Sequence, residues 1–179
     1  NDGCLFKESS SSITGCNITL SYCIVITSNG KKINQAGGGI AGDYFCYAGT
    51  CNVDNCDNGT STSNALQIGD SDGGAGGLFG TNFCYGTTND MTIEDCHNYG
   101  KMNGSGSGGI FAKGAFKQST SASSITIDGC SNSGNINAGY CGGIAGDFFA
   151  IWSNGYYIID SCSNSAAIDQ KSTGAIHIA

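Results

Sequence analysis

The chain has 179 residues with 30 Gly, 11 Cys and no Pro, and its formal net charge is −7 although only 12% of residues are charged. Gly without a G-X-Y period excludes collagen, and an apolar fraction of 39% excludes a disordered chain, which needs low hydrophobicity and high charge. A pI near 4.4 argues against nucleic acid as a partner, because phosphate binding needs a basic face, and no apolar run of 18 residues is present to span a membrane.

Read from the N-terminus, one block recurs. Gly3-Cys4-Leu5-Phe6 opens it, and Gly38-Gly39-Ile40-Ala41-Gly42, Gly76-Gly77-Leu78-Phe79-Gly80, Gly108-Gly109-Ile110-Phe111 and Gly142-Gly143-Ile144-Ala145-Gly146 repeat it. Gly174-Ala175-Ile176 begins another copy, and successive starts lie 35, 38, 32, 34 and 32 residues apart. A second block keeps the same phase: Val53-Asp54-Asn55-Cys56-Asp57-Asn58, Ile93-Glu94-Asp95-Cys96-His97-Asn98, Ile127-Asp128-Gly129-Cys130-Ser131-Asn132 and Ile159-Asp160-Ser161-Cys162-Ser163-Asn164. Thr62, Met102, Ile136 and Ile168 stand six residues after these cysteines. In the first copy the matching positions are read as Ile24, Thr27 (in place of Cys), Asn29 and Ile33.

Between the blocks, apolar and polar residues alternate, as in Ser124-Ile125-Thr126-Ile127-Asp128. Alternation is the strand period, and frequent Gly and β-branched residues disfavour helix. One repeat cannot bury its apolar face alone, but stacked repeats form a continuous core. The prediction is an all-β, single-domain parallel β-solenoid over 1–179 with about five rungs, its repeats at 3–37, 38–75, 76–107, 108–141 and 142–173 and a sixth begun at 174–179. Asn29, Asn58, Asn98, Asn132 and Asn164 are expected to form an asparagine ladder between rungs. The Gly-Gly pairs mark corners or close backbone approach.

These motifs resemble the GLUG-type repeat, Gly-Gly-Leu/Ile-x-Gly followed by Ile-x-x-Cys/Ser-x-x-x-Gly-x-Val/Ile, over nearly the whole chain and most closely over 76–102 and 108–136. Cys-x-Asn in the second block, and Ala112-Lys113 in the third copy, depart from that pattern. The resemblance implies a β-solenoid segment of an extracellular surface protein or adhesin, and carries over no catalytic residue.

Eleven cysteines point to an oxidising compartment. Three glycosylation sequons, at Asn17, Asn58 and Asn103, agree with secretion. Cys56, Cys96, Cys130 and Cys162 share one repeat position, so neighbours are either bridged or stacked as buried thiols. Cys46 and Cys84 align as the preferred inter-rung bridge, and Cys4 and Cys141 are candidates for intermolecular bonds. Zinc at Cys46, Cys51 and Cys56 lacks the usual Cys-x-x-Cys spacing. Asp54, Glu94, Asp128 and Asp160 form an acidic stripe that keeps the surface solvated or, joined by Asp70 and Asp72, binds calcium.

No cofactor is expected, and no enzyme either. The carboxylates repeat with the coil where a glycosidase needs one local pair, the chain has no Arg, His97 and His177 are its only histidines, and Gly104-Ser105-Gly106-Ser107-Gly108-Gly109 lacks the Lys-Ser/Thr of a phosphate loop. The chain opens and stops at one phase of its repeat, which suggests head-to-tail stacking into a glycosylated extracellular homopolymer. A segment of a longer adhesin, binding glycans through Tyr44-Phe45, Phe148-Phe149 and Trp152, is the alternative. An ice-binding solenoid, which wants outward Thr rows such as Thr92 and Thr126, comes after it.

Overall fold

The computed structural model describes residues 15–27, 31–33, 37–69, 74–119, 123–137, 139–168 and 173–174. Among these the chain is all β, a parallel solenoid whose five rungs make four full turns from first strand to last. The first sheet stacks Asn17–Ser21, Thr50–Asp54, Met91–Glu94, Ser124–Asp128 and Tyr156–Asp160 in chain order. The second stacks Ile24–Val25, Asp57–Asn58, His97–Asn98, Ser131–Asn132 and Ser163–Asn164. The third holds Lys32–Ile33, Gln67–Ile68, Met102–Asn103 and Ile136–Asn137, with Ile168 bridged beyond Ile136. The Gly-Gly corners stack as expected, Gly38 on Gly76, Gly76 on Gly108, Gly108 on Gly142 and Gly142 on Gly174.

Alternation decides which way each strand faces. Leu20, Val53, Ile93 and Ile127 point inward and are buried, while Thr19, Asn52, Thr92 and Thr126 point out. A left-handed corner separates the first two sheets, at Tyr22, Asn55, Asp95, Gly129 and Ser161 (φ 55, 50, 47, 61 and 50°). Asn, Asp and Gly suit that conformation; Tyr and Ser occupy it because the coil turns there in every rung.

A second irregular segment follows each Gly-Gly block, where positive φ recurs at alternate residues: Tyr44, Cys46 and Ala48; Asn82, Cys84 and Gly86; Gly114, Phe116 and Gln118; Phe148, Ala150 and Trp152. Its inward residues form an aromatic stack, with Phe79 against Phe83 at 4.2 Å between centroids and Phe83 edge-on to Phe116 at 5.5 Å. Ala48 occupies the position that Gly86 fills one rung on, at φ 47°. Ala48→Gly is therefore expected to raise stability by about 1 kcal/mol, since an L-residue there is strained by ~1–2 kcal/mol and Gly is not, less the entropy Gly loses on folding. Equilibrium urea unfolding measures the difference.

The observed register corrects the first two copies. Ile24 pairs with Asp57 and Val25 with Asn58, so Cys23, not Thr27, holds the cysteine position, and Val25 takes the ladder position assigned to Asn29, itself outside the described residues. Thr27 instead binds the neighbouring loop, its Oγ1 donating to the carbonyls of Asn64 and Ala65 at 3.3 and 3.4 Å. In the second copy Ile68, not Thr62, pairs with Ile33 and Met102. The extra residues form an exposed loop pinned by Asn64, whose Oδ1 accepts from the backbone N–H groups of Thr60 and Ser61.

Candidate functional site: the side-chain columns

Because every rung repeats the last, side chains of one phase form columns along the solenoid. The asparagine column is the most completely bonded. Asn58 Nδ2 donates to Asn98 Oδ1 (2.9 Å), Asn98 Nδ2 to Asn132 Oδ1 (2.8 Å) and Asn132 Nδ2 to Asn164 Oδ1 (2.7 Å). Each amide also closes a turn in its own rung: Asn98 Nδ2 donates to the Gly100 carbonyl and Asn98 Oδ1 accepts from Gly100 N–H. Asn132 does the same with Gly134. Asn58, Asn98 and Asn132 are fully buried, and the network leaves no buried amide unsatisfied where an orphan is costly. This corrects the sequon at Asn58, whose buried nitrogen donates to both the Leu66 carbonyl and Asn98 and has no room for a glycan in the fold. Asn17 is exposed and Asn103 half-buried.

The Gly-Gly block lies directly against this column. A Cβ on Gly39, Gly77 or Gly109 would meet the side chain of Asn58, Asn98 or Asn132 respectively at under 3.0 Å. The two recurring sequence blocks are opposite walls of one core, which is why they keep phase.

The cysteines form a second column, Cys23, Cys56, Cys96, Cys130 and Cys162, one thiol per rung, and each thiol donates to a backbone carbonyl: Cys23 to Ser21, Cys56 to Asp54, Cys96 to Glu94, Cys130 to Ile93 and Cys162 to Ile127. The neighbouring Cys162 and Cys96 side chains draw the Cys130 thiol down, and Cys96 draws Cys56 down. The same neighbours, with burial, push Cys96 and Cys162 up. Cys46, Cys51 and Cys84 form a separate buried trio, in which the Cys46 thiol donates to the Cys16 carbonyl and its cysteine neighbours draw it down. All ten described cysteines are free thiols, so the bridge expected for Cys46–Cys84 and those of the Cys56 column are not formed here. In-register strands hold side chains a full rung apart, about 4.7–4.9 Å, whereas a disulfide needs Cβ atoms ~3.5–4.5 Å apart. Cys141 is buried, which does not suit an intermolecular bond; Cys4 lies outside the described residues. Cys16, Cys23 and Cys162 are half-buried and the other seven buried, so brief iodoacetamide treatment of folded protein should label those three first. Mass mapping that found Cys96 or Cys130 labelled as quickly would contradict the packed column.

Asp54, Glu94, Asp128 and Asp160 align on the outer face of the first sheet. Among the described residues no group of three or more His, Cys, Asp or Glu is placed to hold a metal ion, so the calcium expectation finds no converging ligands there, nor zinc at Cys46, Cys51 and Cys56. Asp70, Asp72 and His177 lie outside the described residues. The ring Nδ1 of His97 lies 2.7 Å from Ser131 Oγ, but Asp57 Oδ1 accepts from the His97 backbone N–H (3.0 Å). The carboxylate is therefore not placed on the imidazole as a Ser-His-Asp triad requires. Of the expected glycan-contacting aromatics, Phe45 and Phe149 are buried in the core, whereas Tyr44 and Trp152 are exposed, the latter under the Lys117 ammonium at 4.4 Å. The outward row through Thr92 reads Thr19, Asn52, Thr92, Thr126, Ile158, an interrupted Thr row.

Sequence reasoning missed one feature. The second and third rungs pair in the first sheet only at Val53–Ile93 and Asp54–Glu94; upstream the strands part, and a cleft of about 300 Å³ opens, lined by Asn52, Asp90, Met91, Thr92, Ser124 and Thr126. The only sequence signal is unequal approach: six residues from Tyr47 to Val53 but eight from Tyr85 to Ile93.

No protein-family model, curated protein or solved structure matches this chain, so the GLUG likeness rests on the motif residues alone. No helix among the described residues is long and apolar enough to cross a membrane.

Proposed function

We propose that this chain is a structural solenoid that stacks end to end with copies of itself, as a filament or surface rod outside the cell. The observation that carries the reading is where burial fails. Inward side chains of the second to fourth rungs are exposed by 0–6%, whereas Tyr157, Ile159, Cys162 and Ile168 of the fifth are only partly covered, as are Ile18 and Cys23 of the first beside its buried Leu20, Val25 and Ile33. A further rung laid on either would bury them and bond the strand edge, at roughly 25 cal/mol per Å² of apolar surface. The charges suit that contact. By sequence the first repeat, 3–37, carries Lys7, Lys31 and Lys32 against one acid, Glu8, and the fifth, 142–173, carries Asp147, Asp160 and Asp169 against one base, Lys171. Among the described residues the columns repeat without a rung-unique acid–base cluster, which favours a mechanical role over catalysis.

Negative-stain electron microscopy and sedimentation velocity test this. Filaments with an axial repeat of about 24 Å, five strand spacings, are expected, shortened by Lys31→Glu with Lys32→Glu and by high salt. Monomers at every concentration would overturn the reading.

A further inference from the structure

The cleft in the first sheet is a built feature. Where strand pairing stops, side chains take over the backbone bonds: Thr92 N–H donates to Asn52 Oδ1 at 2.9 Å, and the buried Cys51 N–H to Met91 Sδ at 3.2 Å. One rung on, Ser124 N–H donates to Asp90 Oδ1 at 2.7 Å. Asn52 and Asp90 are thereby held in place by one oxygen each. Their remaining amide and carboxylate atoms, and the hydroxyls of Thr92, Ser124 and Thr126, are left to line an open polar trough.

Its chemistry selects a ligand class. The lining contains one carboxylate and no cation, and the acidic column of Asp54, Glu94 and Asp128 runs two residues away on the same face. Phosphates, nucleotides and acidic sugars are repelled. Hydroxyls that both donate and accept suit an amide, a carboxylate and three hydroxyls. Beyond Ser124, in register and one rung further, stands Tyr156 at 73% exposure, with Ile158 beyond Thr126 at 53%. The inner rungs carry polar residues at these outward positions: Thr50 and Ser124 in one row, Asn52, Thr92 and Thr126 in the other. A polar trough ending at an exposed aromatic ring offers hydrogen bonds and an apolar plate along one line. From Asn52 to Ile158 that line covers three rung steps, about 14 Å, long enough for an oligosaccharide.

We propose that this face binds a neutral oligosaccharide lying parallel to the solenoid axis, its hydroxyls in the Asn52–Asp90–Thr92–Ser124–Thr126 trough and one ring stacked on Tyr156. The site is lateral and does not depend on end-to-end stacking, so it is testable on the Lys31→Glu/Lys32→Glu protein as well as on the parent. Calorimetric titration with cellohexaose, xylohexaose and chitohexaose, with oligogalacturonate as the acidic comparison, decides it. Saturable binding of at least one neutral hexasaccharide at one site per chain is expected, with oligogalacturonate at least about tenfold weaker. Tyr156→Ala and Thr92→Lys, both at exposed positions that leave the core intact, should each weaken binding about tenfold or more, while Tyr156→Phe retains it. Absence of binding by all three neutral probes at millimolar concentration overturns the proposal. So does equal binding of the acidic one, or affinity unchanged in both weakening variants.

Discussion

Gly109→Ala should leave no folded solenoid, while Gly139→Ala should be indistinguishable from the parent in thermal and urea unfolding. A Cβ on Gly109 would overlap the carbonyl oxygen of Gly143 on the next rung and stand 2.5 and 2.6 Å from Cβ and Cγ of Asn132. Real Cβ atoms do not come that close. The obstacle is backbone on one side and a hydrogen-bonded amide on the other, so no flexible side chain can move aside. Relief requires separating the fourth and fifth rungs, which breaks the bonds from Gly109 N–H to Gly142 O and from Ile110 N–H to Ile144 O, together with the asparagine bond from Asn132 to Asn164. Ordinary overpacking is worth ~1–3 kcal/mol; a clash that opens a stacked ladder belongs with the exceptional losses above ~4 kcal/mol. At Gly139 no atom lies within 4 Å of where a Cβ would stand, and its φ is not positive, so the same change there meets nothing. If Gly109→Ala unfolded with the parent's midpoint, the close wall between the Gly-Gly block and the asparagine column would be wrong.

Most of this architecture is legible in the sequence for one physical reason: a solenoid writes the same environment into every rung. The Gly-Gly pairs, the cysteine position and Asn98, Asn132 and Asn164 fall in phase because each is fixed by the residue above and below it. Legibility fails where the rungs differ in length. Ten residues separate Cys23 from Ile33, and twelve separate Cys56 from Ile68, against six in each later copy. Counting alone therefore lands on Thr27 and Thr62, while the chain keeps register by turning Cys23 inward, burying Ile33 and Ile68 and looping out the surplus. The number of cysteines suggests disulfides; thiol stacking follows from strand spacing, which composition does not report. The polar cleft leaves no motif in the sequence, because it arises from a two-residue difference in approach between neighbouring rungs, a relation between distant segments.

Asn98→Leu should cost about 3–5 kcal/mol although leucine nearly matches the volume. It strips partners from the buried Gly100 N–H and Gly100 carbonyl, and removes one bond each from Asn58 Nδ2 and Asn132 Oδ1. A buried polar group left unpaired costs ~1–3 kcal/mol, and the two Gly100 groups lose their side-chain partner outright. Asn98→Asp separates this electrostatic role from packing. The new carboxylate can still accept from Gly100 N–H and Asn58 Nδ2, but its other contacts, the Gly100 carbonyl and Asn132 Oδ1, are acceptors, which the charged form repels and the protonated form can bond. Burial and these acceptors raise its folded pKa above the ordinary aspartate value of ~3.9. With a raised folded pKa, stability is fully present below the unfolded pKa and is lost as pH rises through the folded one. The variant should therefore approach the parent's stability near pH 3–4 and fall progressively behind it toward neutrality, whereas Asn98→Leu lags by a constant amount across that range. Urea unfolding of the three proteins at several pH values measures both trends. A pH-independent deficit in Asn98→Asp would mean that the column holds the rungs by shape and not by its alternating donors and acceptors.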